Sequence, residues 1–333
     1  MKRGRVEVIE FESPVLAGNP AGDPSLRRIP VWLPPSYDDQ PRRRYPVLYV
    51  LAGFSGRGRM LLNDNPWSPS LDDRLDGLVG TGRCGEMIVV MPDCRTRFGG
   101  SQYLNSGATG RYQDHLLDEL VPWVDEHFRT LAAREHRGVA GKSSGGFGAL
   151  TLGMTRADVF GAVACHSGDL YFEYCYRTDI PAACSVLQDA GGARAFLAAF
   201  EAKPQKGKDD FLAFNILGMA ACYSPDPEAE LGVALPFDLE TGAFRDDVWE
   251  RWLAFDPLRR LPACEDALRS LRLLHLDCGR RDEFHLRHGA RMFARELRAR
   301  EIPHRYEEFD DGHMNVSYRY DTSLPLLAAA LAP

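Results

Sequence analysis

The sequence predicts an α/β fold: one mostly parallel, doubly wound sheet flanked by helices, interrupted in the second half by a largely helical insertion. Three observations carry that expectation. Short, nearly continuous apolar runs recur at the spacing of buried strands. Segments of helical periodicity separate them. The alternation stops between residues 169 and 262 and then resumes. Strand, helix and strand in succession imply parallel strands joined by right-handed crossovers.

Residues 6–11 alternate apolar and acidic side chains, the period of a half-exposed strand, and residues 27–33 repeat the pattern until Pro34 and Pro35 end it. The two are expected to pair antiparallel at a sheet edge. Residues 45–51 form an apolar run that leads into Ala52-Gly53-Phe54-Ser55-Gly56, and residues 87–91 form another, closed by Pro92. Between them, residues 71–79 suit a short helix with aspartates near its start. Residues 111–128 carry the clearest amphipathic stripe, through Leu116, Leu120, Val124 and Phe128. A strand at 138–140, a helix at 144–154 and a strand at 161–165 follow.

From 169 to 262, helix-like pieces at 192–200, 209–221 and 246–254 lie between Pro-rich connections. A structureless loop of that length is improbable in a compact domain, so the stretch is expected to form a cap. Afterward come a strand at 271–276, a helix at 284–300, a strand at 305–309 and a terminal helix from Met314. The expected organisation is one domain over 1–333 with the cap inserted.

The 333 residues carry 47 acidic and 40 basic side chains, a net charge of −7. That balance argues against a nucleic-acid partner, which needs a basic surface. No apolar run approaches a membrane span, and the N-terminal stretch lacks the apolar core of a signal peptide. Eight cysteines without a C-x-x-C pair read as free thiols of a reducing compartment. A cytoplasmic location is expected, and self-association into a homo-oligomer is left open.

The chemistry centres on Gly141-Lys142-Ser143-Ser144-Gly145, a G-x-S-x-G pentapeptide between a strand and a helix. In a nucleophile elbow the sharp turn lifts the serine hydroxyl clear, and the flanking positions must be small. Taken alone, the pentapeptide also suits a Gly-rich structural turn. A serine nucleophile needs a histidine to take its proton and a carboxylate to orient that histidine. The order Ser, acid, His on successive loops selects Asp282, after the strand at 271–276, and His313, after the strand at 305–309. Asp277 and Glu283 stay open as alternatives for the acid. An oxyanion hole needs two preset N–H donors. The backbone amides of Phe54 and Ser144 are the expected pair. Tyr103, His166 and Trp249 are expected to touch substrate, with a structural core role as the competing reading of His166, and Trp67, Phe98, Tyr171, Phe172 and Trp252 are further aromatic candidates. No metal or organic cofactor is called for.

The elbow segment 141–149, the upstream residues 110–114 and 117–125, and the segments 279–284 and 309–313 together resemble the Putative esterase family. That family includes S-formylglutathione hydrolases, enterochelin esterases, feruloyl esterases and mycolyltransferases. The resemblance covers about 25–168 and 270–320. It implies an α/β-hydrolase fold with Ser143, Asp282 and His313 as the catalytic triad. Many members have His-Gly at the oxyanion loop where this chain has Ala52-Gly53. The implied activity is hydrolysis of a small or aromatic ester or thioester through an acyl-enzyme. The rival readings are an acyltransferase passing the acyl group to a sugar or alcohol, and a catalytically silent binding protein.

Overall fold

The computed structural model describes residues 2–63, 66 and 68–333. Eight strands form its main sheet: β1 (Arg5–Glu12), β2 (Leu26–Leu33), β3 (Val47–Leu51), β4 (Ile88–Val90), β5 (Arg137–Lys142), β6 (Ala162–His166), β7 (Leu273–Gly279) and β8 (Arg305–Phe309). They lie in the order β1-β2-β4-β3-β5-β6-β7-β8. β1 and β2 pair antiparallel at the edge, with Ile9 opposite Ile29, and β2 is antiparallel to β4. From β4 to β8 all pairs are parallel.

The helices are α1 (Leu71–Gly80), α2 (residues 112–127), α3 (Ser144–Thr155), α4 (Ile180–Asp189), α5 (Ala193–Ala202), α6 (Lys208–Tyr223), α7 (Asp246–Leu253), α8 (Leu286–Ala299) and α9 (Tyr320–Leu331), with shorter turns between. Strand periodicity divides the core into two layers. Val47, Tyr49 and Leu51 face the cluster that contains Leu116 of α2, Phe147 of α3 and Phe293 of α8. Leu48 and Val50, one residue out of step, face Leu75 of α1 and Leu324 of α9. Burial on both faces explains why these strands read as unbroken apolar runs.

Two elements depart from sequence expectation. α2 is not uniform: residues His115–Leu120 are π-helical, and the Val121 amide reaches back to Leu116 O. Pro122, in the next turn, has no N–H to donate. The terminal helix starts at Tyr320 rather than Met314, because 313–316 are loop and Ser317–Arg319 is a single 3-10 turn.

The insertion between β6 and β7 is helical, as expected, and also contains α4, which begins with Pro181 in its first turn. α6 is buried from Ala213 to Tyr223. Tyr223 packs against Phe147 of α3, Phe172 and Trp252, with ring centroids 6.0, 5.2 and 5.7 Å apart. The cap thus sits directly on the helix that follows the elbow. No helix of the described residues is long and apolar enough to cross a membrane. All eight cysteines are free thiols, and seven of them are buried.

Candidate active site

Ser143 stands at the junction of β5 and α3 with φ 59° and ψ −129°. Non-glycine residues rarely hold positive φ, at a cost of about 1–3 kcal/mol, and then because their surroundings impose it. Here the surroundings are close backbones. A Cβ on Gly141 would lie 2.3 Å from Gly145 O, and one on Gly145 would lie 2.1 Å from Leu51 O. Only glycine lets β5, α3 and β3 meet this closely. The Ser143 amide donates to His166 O at 2.9 Å, and its carbonyl accepts from the Phe147 amide at 2.9 Å, fixing the turn on both sides.

β7 and β8 run parallel with Phe309 opposite Gly279, so the loops leaving them emerge side by side. His313 Nδ1 lies 2.8 Å from Asp282 Oδ2. The other Asp282 oxygen accepts from the Phe284 and Leu286 amides, at 3.0 and 3.4 Å. Both side chains are buried, and the Phe284 ring stands edge-on to the imidazole at 4.8 Å. The alternatives for the acid have other partners. Glu283 accepts from the His313 backbone amide at 2.6 Å. Asp277 is buried beneath the site, bonded to His166 at 2.8 Å and to Arg319 at 2.9 Å.

Ser143 and His313 line one cavity of about 370 Å³, together with Phe54, Tyr176, Phe211 and Phe284. The Phe54 ring is held by Phe214 and Phe211 of α6, at 5.5 and 6.2 Å. The Ser144 amide opens α3, where a helix leaves its N–H groups without intrahelical partners. Among the described residues, neither the Phe54 nor the Ser144 amide donates to a backbone carbonyl.

The residues expected to touch substrate are placed differently. Tyr103 is buried behind the site, its hydroxyl donating to Ala52 O at 2.6 Å, so it braces the loop that carries Phe54. His166 is core: Nδ1 meets Asp277, Nε2 lies 2.8 Å from Ser323 Oγ, and neither atom faces the cavity. Trp249 is buried in the cap against Phe244 and Trp252. Phe98, Phe172 and Trp252 are likewise interior, and Trp67 lies outside the described residues. Tyr103, His166 and Trp249 pack against core partners that sequence order does not reveal.

The cavity instead receives Asp169, Tyr176, Phe211 and Asn215 from the insertion, and Phe284 from the acid loop. Asp169 Oδ2 accepts from Tyr176 Oη at 2.7 Å, Gln102 Nε2 at 3.1 Å and Ser144 Oγ at 3.3 Å. Burial pushes this carboxyl above the usual aspartate range, although those hydrogen bonds oppose the shift. Its position at the first turn after β6 was the only available signal, since its partners lie up to 67 residues away.

His166, His275 and Asp277 lie close enough together to bind a cation. The Arg319 guanidinium already supplies positive charge to Asp277 Oδ2 at 2.9 Å, so an ion-pair network accounts for the cluster.

Comparison with known proteins agrees with this architecture. A ferulic acid esterase superposes with a TM-score of 0.64 at 20% identity, over 99% of this chain and all of that one. The endo-1,4-beta-xylanase/feruloyl esterase of Xylanibacter ruminicola is 30% identical over 137 residues, 39% of this chain and 17% of that protein. Esterase Rv1288 of Mycobacterium tuberculosis is 30% identical over 168 residues, 49% of this chain and 32% of that protein. The chain therefore spans no more than about a third of the length of these curated relatives. Residues 25–325 match the family described as Putative esterase. With that match over most of its length and an α/β-hydrolase fold, the chain belongs to the Putative esterase family.

Proposed function

We propose that the protein is a serine carboxylic-ester hydrolase that works through an acyl-enzyme. The observation that carries the reading is the convergence of a strained Ser143 and a buried, Asp282-bonded His313 on one cavity. In this mechanism Ser143 Oγ attacks the ester carbonyl while His313 Nε2 takes its proton. The C–O bond to the leaving alcohol breaks as His313 returns that proton to the alcohol oxygen. Water, deprotonated by the same imidazole, then cleaves the acyl-serine ester. Asp282 holds Nδ1–H, which fixes the tautomer and stabilises the imidazolium. The Phe54 and Ser144 amides supply two donors to the oxyanion, and the start of α3 adds its dipole.

Phe54, Phe211, Phe284 and Tyr176 around the cavity favour an ester with an aromatic portion, in keeping with the feruloyl and ferulic acid esterases among the similar proteins. Hydrolysis of 4-nitrophenyl acetate tests the reading. Ser143→Ala is expected to lower kcat/KM by roughly 10³-fold or more with the fold intact by circular dichroism. Activity near the unsubstituted level would remove Ser143 from the mechanism.

A further inference from the structure

Lys142, the residue before the elbow serine, has no part in the steps above. It ends β5 immediately before Ser143 and is the one lysine or arginine among the described residues lining the cavity. Lys2 and Lys203 each pair with a carboxylate on the surface. The Lys142 ammonium makes no hydrogen bond or close ion pair with any described residue. An ammonium brings three donors, and its partial removal from water carries a cost that a bound anion repays.

The charges around it indicate which part of a substrate it meets. Burial pulls the Lys142 pKa below the usual lysine range, and the charges of Asp282 and Glu283 oppose that shift and favour the ammonium. Both carboxylates are already engaged, Asp282 by the His313 imidazole and two amides, Glu283 by the His313 amide. Lys142 therefore lies toward the acid loop and His313. Asp169, the other acid of the cavity, is tied to Ser144, Tyr176 and Gln102 instead. In acyl transfer the histidine protonates the leaving oxygen or sulfur, so the leaving group occupies the His313 side.

We propose that Lys142 is a specificity-determining residue that binds an anionic group, carboxylate or phosphate, carried on the leaving alcohol or thiol. The proposal rests on the esterase reading of Ser143. It assigns a substrate class: acyl esters whose alcohol portion is an acid.

The test compares kcat/KM for 4-acetoxybenzoate and 4-acetoxyphenyl phosphate with that for the neutral 4-acetoxybenzamide, in the unsubstituted protein and in Lys142→Met and Lys142→Arg. Each ratio is taken within one protein, so a general loss of activity cancels. The anionic-to-neutral ratio is expected to fall about tenfold in Lys142→Met and to be retained in Lys142→Arg. In the unsubstituted protein it should also fall as salt rises from about 20 to about 500 mM, a measurement that needs no variant. A drop for either anionic ester supports the proposal and identifies the anion.

A ratio unchanged in Lys142→Met, or insensitive to salt, overturns the proposal while leaving ester hydrolysis by Ser143 standing. A Lys142 effect confined to an acyl-side carboxylate, 4-nitrophenyl succinate against 4-nitrophenyl butyrate, overturns it as well. Hydrolysis of the neutral ester that survives Ser143→Ala overturns the esterase reading, and the proposal falls with it.

Discussion

His166 Nδ1 and Asp277 Oδ1 meet at 2.8 Å across adjacent parallel strands, the same separation as His313 Nδ1 and Asp282 Oδ2 in the cavity. Ser323 Oγ completes the resemblance, 2.8 Å from His166 Nε2. Serine, histidine and aspartate thus form a hydrogen-bonded relay in the core, where Ser323 is fully buried and lines no part of the cavity. What separates the two is access and backbone. Ser143 is lifted into a cavity by a strained turn, whereas Ser323 lies inside a regular helix. The lower relay holds β6 against β7 and α9, directly under the turn whose amide binds His166 O.

That role predicts an acid-sensitive contribution to stability. Burial opposes ionisation of Asp277, but the charges and hydrogen bonds of His166 and His275 overcome it and hold the carboxyl below its ordinary 3.8. A depressed carboxyl contributes stability above its unfolded-state pKa and loses it as pH falls through the folded-state value. Asp277→Asn is expected to lower unfolding stability by about 3 kcal/mol near pH 7. The difference from the unsubstituted protein should shrink below about pH 4. Urea titrations across pH measure it; a pH-independent difference contradicts the ion-pair account.

His115 has the opposite electrostatic sign. Burial, with the Arg27 charge adding to it, takes this imidazole down to about 3, and its Nε2 has no partner. The fold therefore keeps it neutral. Below about pH 6.5 the unfolded chain takes up a proton that the fold refuses, so stability falls with decreasing pH by at most about 1.4 kcal/mol per unit. His115→Gln should flatten that part of the stability curve between pH 6.5 and 4, and an unchanged slope would contradict the burial argument.

Gly145→Ala tests the elbow as a packing constraint. Its methyl group would sit 2.1 Å from Leu51 O and 2.8 Å from Ala52 O, and backbone cannot yield as a side-chain tip does. The expected result is a loss of about 3 kcal/mol or more, or insoluble protein. A variant of ordinary stability would show that the turn relaxes.

The division of labour between the two acids of the loop can be separated kinetically. Asp282→Asn is expected to reduce kcat/KM by roughly 10³-fold, because the amide cannot both accept from Nδ1–H and stabilise the imidazolium. Glu283→Gln keeps an oxygen for the His313 amide and should cost less than about tenfold. Equal losses would contradict the assignment of roles.

Much of this arrangement was legible in the chain. Runs such as 45–51 disclose strands because both faces of the sheet are covered, and the sheet's parallel order puts the loops after β5, β7 and β8 at one edge. The Ser, acid, His order therefore selected Ser143, Asp282 and His313 as candidates; His313 bonds Asp282 and shares a cavity with Ser143. Side chains whose role depends on distant partners were not legible. Tyr103 serves Ala52, 51 residues away, and His166 serves Asp277, 111 residues away. Asp169 reaches the cavity through contacts with α3, the loop at 102 and the cap together. α4 buries Ile180, Ala183, Cys184 and Leu187 at helical spacing, a stripe that its small members make faint, and the π-helical stretch of α2 leaves the apolar pattern nearly unchanged.

In the proposed mechanism Ser143, and no other hydroxyl, is the nucleophile. Incubation with a fluorophosphonate followed by intact mass spectrometry and peptide mapping tests it most directly. The expected result is one phosphonyl adduct per chain, on the peptide that carries Ser143, and none in Ser143→Ala. No adduct, or an adduct on another residue such as Ser323, would contradict it.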